Sequence, residues 1–339
     1  MANAISLSIC IPNYRRPSEL SRCLSSILSQ TMAPREVVIH DDFSPNQCEI
    51  SNVIDSYRQK FIHKDISLIY FNSTSNKGYD GSLRFLIDNA TSEYVLFIGN
   101  DDILMPECVS VAAATISHFR CNMYSRNFYK ITGENAEVTG KSTFCKSDTL
   151  YVESTESPAM AFRLCSYFGG LIFAREWANS LKTDIFDGTL YYQYYLALNA
   201  FISTGIYCIS TPTVGALTDG VPLFSETDKS GLHITGRYAP KARAKMWSNV
   251  LEITANFDSK NDRNFLGSIQ YELKNRMAFH IMEMYCSSNR RTQIQVAKEL
   301  ININLFWSPI STGLWVVNFI LGSKALSLYN LIRRSYQRV

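Results

Sequence analysis

Four short stretches of this 339-residue chain gather side chains able to grip a charged ligand: Pro12-Asn13-Tyr14-Arg15-Arg16, Asp41-Asp42-Phe43-Ser44, Asn76-Lys77-Gly78, and Asn100-Asp101-Asp102 with Met105-Pro106 behind it. Acidic groups dominate two of the four. Bare carboxylates repel a phosphate, but a hard divalent cation held by them bridges to a diphosphate and completes its shell with oxygen ligands. The glycine-rich alternatives are missing from the sequence. No G-x-G-x-x-G follows the first apolar run and no G-x-x-x-x-G-K-[ST] is present, so the dinucleotide and P-loop readings lose their main support.

What must position these groups is a repeating plan over the first hundred residues, in which a short apolar run is followed by a turn and then a helical pattern. The runs at 5–11, 36–40, 66–71 and 94–98 read as strands. Between them, 18–30 carries Leu20, Leu24, Ile27 and Leu28 at helical spacing with Pro17 near its start, and 82–90 repeats the spacing with Leu83, Leu86 and Ile87. Alternating strand and helix implies a parallel sheet covered by helices. The four stretches then fall just beyond the carboxyl ends of the strands, where such sheets bind their ligands.

Composition narrows the class. With 46% hydrophobic residues the chain has ample material for a core, and 33 Lys+Arg against 30 Asp+Glu leave a formal charge of only +3, so no global field favours nucleic acid. Nine cysteines without a C-x-x-C spacing fit reduced, packed thiols in a cytosolic protein better than disulfides or zinc. The run from Ile5 lacks a basic flank and meets Pro12 within a few residues, so it reads as a buried strand and not as a secretory signal.

The ordered series Ile11-Pro12-Asn13-Tyr14-Arg15-Arg16-Pro17, Leu28-Ser29-Gln30-Thr31, Val37 to Ser44 with its Asp41-Asp42 pair, Asn76-Lys77-Gly78, and Tyr94 to Pro106 with Gly99-Asn100-Asp101-Asp102 resembles the family 2 inverting glycosyltransferases of GT-A fold. The likeness covers roughly the first third of the chain. It implies an α/β, Rossmann-like catalytic domain over 1–235, comprising a nucleotide- and metal-binding half (1–106) and an acceptor half with a lid loop (107–235), followed by a helical region over 236–339.

Residue by residue, the resemblance assigns Pro12, Asn13, Tyr14, Asp42, Asn76 and Gly78 to the nucleobase and ribose, with Arg16 in reach of a phosphate. Alternatively Tyr14 packs and Asp42 caps the next helix. Counting back from Pro106, Gly99 occupies the family's first aspartate position. Asp101 becomes the ligand for Mn²⁺ or Mg²⁺, with Asp102 supporting it or touching the ribose and Asn100 as a weaker oxygen donor. Such a cation stabilises charge on the departing diphosphate. Inversion also needs a general base. The resemblance points to Asp187 at the head of a helix, with Asp184 in reserve, although either would serve equally as a helix cap. The polar stretch 218–231, with His233 and Arg237 beyond it, is the expected lid.

From Leu300 to Ser323 no residue is charged, while Lys324, Arg333, Arg334 and Arg338 follow. Asn302, Asn304, Ser308, Pro309, Ser311, Gly313 and Asn318 interrupt this run, which favours helices lying in a bilayer interface over a span. The resulting expectation is an enzyme peripheral on the cytoplasmic face of the cell membrane. It moves one sugar from a nucleotide-sugar donor to a polyprenyl-diphosphate-linked glycan, in O-antigen or capsule assembly by family analogy. A catalytically degenerate scaffold and a nucleotidyltransferase are the rival readings.

Overall fold

The computed structural model describes residues 5–220 and 239–329. Two compact units divide the chain, Met1–Gly220 and Val221–Val339.

In the first unit the strands β1 (Leu7–Asn13), β2 (Glu36–Asp41), β3 (Ser67–Asn72) and β4 (Tyr94–Phe97) alternate with the helices α1 (Pro17–Leu28), α2 (Gln47–Ile62) and α3 (Gly78–Asn89). They are parallel in the order β3-β2-β1-β4, with Ile9 opposite Val37 on one side and Leu96 on the other. β1, β2 and β4 are buried along almost their whole length, as strands covered on both faces must be. α1 starts on Pro17, whose missing N–H costs nothing at that position, and buries Leu20, Cys23, Leu24 and Ile27. α2 was not singled out in the sequence. Its buried Ile50, Ile54, Tyr57 and Phe61 nonetheless follow helical spacing.

The sheet continues through β10 (Ile172–Ala174), β6 (Met123–Arg126), β11 (Ile206–Ile209) and β9 (Thr149–Tyr151), where β10 runs antiparallel to both neighbours. A second sheet joins β5 (Ile103–Leu104), β12 (Val214–Leu217), β7 (Phe128–Thr132) and β8 (Glu137–Ser142). α4 (Cys108–His118), α5 (Ala159–Cys165), α6 (Arg175–Ser180) and α7 (Tyr192–Ile202) complete this unit. β1 lies between β2 and β4, so the chain reverses its direction of travel across the sheet beside β1, and the crevice at that point opens beyond the strands' carboxyl ends.

The second unit is helical: α8 (Pro240–Asn261), α9 (Leu266–Tyr271) leading through a π turn at Glu272–Arg276 into α10 (Ala278–Tyr285), then α11 (Arg290–Asn302) and α12 (Pro309–Leu321). No helix among the described residues is long and apolar enough to cross a membrane. α12 is turned inside out in polarity. Ser311 and Asn318 are buried, bonding to the carbonyls of Lys274 and Met282, while Ile310, Val316, Ile320 and Leu321 are exposed. The polar residues that interrupt the uncharged run therefore satisfy backbone groups of neighbouring helices. The expected lid over 221–231, His233, Arg237 and the basic residues beyond 329 lie outside the described residues.

Candidate active site

The first three strand tips form one hydrogen-bonded chain. Asn13, the last residue of β1, donates from its Nδ2 to Asp41 Oδ1 at 2.7 Å, and the Ser44 hydroxyl caps the same carboxylate. Ser44 Oγ in turn accepts the Arg15 N–H at 2.7 Å. Asp42 Oδ1 accepts the Lys77 N–H at 2.6 Å, and Asn76 Nδ2 donates to the Asp42 carbonyl at 2.8 Å. Asp42 thus fastens the third tip to the second, just ahead of α3, where Gly78 takes a positive φ of 72°. Burial pushes its carboxyl up to about 6, against the pull of those N–H donors. Pro12 and Tyr14 are half-buried beside this chain, with the Arg15 guanidinium 5.8 Å from the Tyr14 ring centre.

The β4 tip joins through Asn100, whose Nδ2 donates to Asn13 Oδ1 at 2.8 Å. Asp101 stays partly exposed and forms an ion pair with Arg16, while Arg22 Nη2 donates to its main-chain carbonyl at 2.8 Å. Asp102 behaves differently. Its carboxylate is turned inward, accepting the Tyr167 hydroxyl at 2.8 Å and the Leu217 N–H at 2.9 Å, and burial raises it to about 6. Each Asp102 oxygen accepts one hydrogen bond, and together they tie the segment leading into β10 and the end of β12 to the β4 tip. Gly99 has a steric reason. A Cβ there would stand 2.9 Å from an Asp101 oxygen and 3.0 Å from an Asp102 oxygen.

Among the described residues no three His, Cys, Asp or Glu side chains converge as a self-sufficient metal site. The donor set at this tip is the single carboxylate of Asp101, partly exposed and acidic. That chemistry fits a hard cation whose other ligands are the oxygens of a bound diphosphate and water.

Farther along the chain, the segment 184–192 departs from expectation. Helix α7 begins only at Tyr192, so Asp187 and Asp184 are neither its head nor its caps. They belong to a preceding turn, in which the Asp187 N–H bonds the Asp184 carbonyl at 3.0 Å. The cap comes from α3. Asp80, fully buried, accepts the N–H groups of Leu190 at 2.9 Å and Tyr192 at 3.0 Å. A carboxylate against a helix N-terminus is electrostatically favoured, although burial still lifts Asp80 to about 6. One turn on, Arg84 grips both oxygens of Asp187 and lies 5.5 Å from the Tyr192 ring centre. α3 therefore carries the candidate base on two tethers.

Arg22, Asp80, Arg84 and Tyr167 were not anticipated. Asp80 and Arg84 had a signal, being i and i+4 on a helix that starts at a recognised tip. Tyr167 and Arg22 had none, because their partners lie far away in sequence. Arg126, buried next to Gly170, is a further case: its Nε donates to the Gly170 carbonyl at 2.9 Å, and the absence of a Cβ at Gly170, which would stand 2.7 Å from Arg126 Cδ, leaves room for it.

Residues 8–175 match the family model described as Glycosyl transferase family 2. The succinoglycan biosynthesis protein ExoW of Rhizobium meliloti is 29% identical over 159 residues, which is 45% of this chain and 46% of ExoW. The chain spans about half or less of the length of the first curated relatives it matches. Among solved structures, residues 1–349 of Staphylococcus aureus TarS with UDP-GlcNAc superpose with a TM-score of 0.58 at 15% identity, covering 96% of this chain and 92% of that one. A Pyrobaculum calidifontis mannosyltransferase bound to GDP-Man and Mn²⁺ gives 0.51 at 17% identity, covering 98% and 83%. The architecture is that of the GT-A glycosyltransferases, with a helical carboxyl-terminal region.

Proposed function

We propose, from the premise that residues 8–175 are a glycosyl transferase family 2 domain, that this protein transfers a single sugar from a nucleotide-sugar donor to a lipid-linked glycan in bacterial cell-surface polysaccharide assembly. The observation that carries the reading is the convergence of Asn13, Asp42, Asn76 and Asp101 at the carboxyl edge of β1–β4. Pro12 and Tyr14 flank the base. Asp42 and the Asn76-Lys77-Gly78 turn that it holds shape the ribose pocket. Asp101 and the donor's diphosphate hold Mn²⁺ or Mg²⁺, which supplies positive charge to the leaving diphosphate. Inversion requires a base on the far face of the sugar, and Asp187 is the candidate, with Asp184 in reserve. Asp187 takes that role only by releasing Arg84.

The test is a titration of the folded protein with UDP, CDP, GDP and dTDP, with and without Mn²⁺, followed by product analysis with the matching sugar nucleotides. One nucleotide should bind in a metal-dependent way and be released as its diphosphate. Release of pyrophosphate would point to a nucleotidyltransferase instead. Tight nucleotide binding without turnover on any acceptor would leave a scaffold.

The exposed apolar face of α12 supports a place at the membrane surface. Trp307, Ile310, Val316, Ile320 and Leu321 are all exposed, Lys324 follows in the next turn, and the Arg290 guanidinium sits 5.3 Å from the Phe319 ring centre. Apolar side chains at acyl depth with cations at the headgroups describe an interfacial helix on anionic lipid. The full chain should co-sediment with phosphatidylglycerol vesicles and lose most of that binding in an Ile310→Ser, Ile320→Ser double variant. Wild-type protein that stays in the supernatant would end this part of the proposal.

A further inference from the structure

Asp101 is the one carboxylate at the β4 tip free of interior duties, yet a guanidinium already occupies it. Arg16 is the residue before α1, and its side chain is only 15% exposed against 25% for Asp101. Such a half-buried guanidinium, whose charge is disfavoured by desolvation, needs a counter-ion. Its position is not accidental backbone slack. Arg15 and Arg16 both take left-handed conformations, with φ of 58° and 60°, which side chains other than glycine rarely adopt in succession. Neighbours impose that turn: the Ser44 hydroxyl holds the Arg15 N–H, Asn100 Nδ2 reaches the Arg15 carbonyl at 3.4 Å, and the Leu20 N–H bonds the Arg16 carbonyl at 2.9 Å. The arginine is thus delivered to Asp101 by the same tips that form the nucleotide pocket.

We propose that Arg16 is the resident counter-ion of Asp101, excluding a divalent cation until a nucleoside diphosphate arrives and takes the guanidinium in exchange. The inference rests on the reading of Asp101 as the cation's ligand. A guanidinium on Asp101 Oδ2 opposes a divalent cation on the same carboxylate, because two positive charges so close together repel. A diphosphate resolves the competition. Its oxygens offer Arg16 a two-pronged partner of higher charge than a carboxylate, and other oxygens complete the cation's shell. No covalent bond changes. The consequence is an order of binding in which cation and diphosphate enter together, and in which Arg16 is a positioning residue for the leaving group.

The experiment measures Mn²⁺ binding to the full chain without nucleotide, by loss of the free-ion electron paramagnetic resonance signal. Binding of the cognate nucleoside diphosphate with Mn²⁺ is followed by calorimetry. Arg16→Gln should bind Mn²⁺ alone about tenfold more tightly than wild type, and the diphosphate with Mn²⁺ about tenfold more weakly; Arg16→Lys, which keeps the charge, should stay near wild type in the first measurement. Unchanged or weaker Mn²⁺ binding in a folded Arg16→Gln protein overturns the exchange. Asp101→Ala keeps the two failures apart: if it binds Mn²⁺ as well as Arg16→Gln does, the cation assignment itself falls. If no nucleotide binds any variant, the transferase reading falls while the Mn²⁺ titrations still decide the competition.

Discussion

Asp101→Ala should cost sugar transfer on the order of 10²–10³ in kcat/KM, and metal-dependent nucleotide binding should vanish with it. The size of the effect follows from the donor set. With Asp102 bonded to Tyr167 and Leu217, and Gly99 bare, no neighbouring carboxylate is placed to compensate. The fold should lose only a little stability, since Asp101 is partly exposed, its bond to Arg22 runs through the main-chain carbonyl, which alanine keeps, and Glu19 and Asp102 still offset the Arg16 charge. Nucleotide titration, product analysis and thermal unfolding on the same preparation check all three statements. Transfer retained within threefold of wild type would remove Asp101 from the chemistry.

The second large effect is expected at a residue that touches no substrate in this reading. Asp80→Ala orphans the buried N–H groups of Leu190 and Tyr192 and strips a negative charge from the start of α7. At about 1–3 kcal/mol for each unsatisfied donor, the loss comes to roughly 2–6 kcal/mol, a drop in Tm of about 4–24 °C for a domain of this size. Leu190 sits at a positive φ of 66°, a strained conformation that Asp80 helps enforce, so the segment carrying Asp187 should relax once the tether is cut. Transfer should therefore fall along with stability. Asp80→Asn retains one of the two acceptors and should land between. A melting temperature within about a degree of wild type would show that α7 does not depend on this cap.

Much of the region from β1 to β4 was legible in the sequence, and the reason is local. The strands β1 to β4 are short, apolar and bounded by turn residues, and their tips follow the strands directly, so identifying a strand also located its tip. What failed was whatever depended on the direction of a side chain. Asp101 and Asp102 are adjacent and identical in type, yet one faces the crevice and the other the interior. That distinction was made by Tyr167 and Leu217, partners more than sixty positions away. Asp187 was expected to head a helix because the resembling family presents its base there; the cap of α7 is Asp80, supplied from another helix, and no local rule reports it. α12 misled in the opposite way. Its serine and asparagine looked like interruptions of an apolar surface, but they point inward and the apolar surface is continuous.

The crowding around Gly99 bears on how this chain can change. A side chain at 99 would meet the carboxylates of Asp101 and Asp102, and one at Gly169 would come within 3.0 Å of the same Asp102 oxygen. An aspartate installed at 99 adds a third negative charge as well as volume. Positions 99 and 102 are therefore expected to be epistatic: Gly99→Asp should be better tolerated once Asp102 has yielded its inward place, and that in turn frees Tyr167 and the end of β12. Adding an acidic ligand to this site by a single change at 99 should therefore cost stability, and changing 99 and 102 together should cost less.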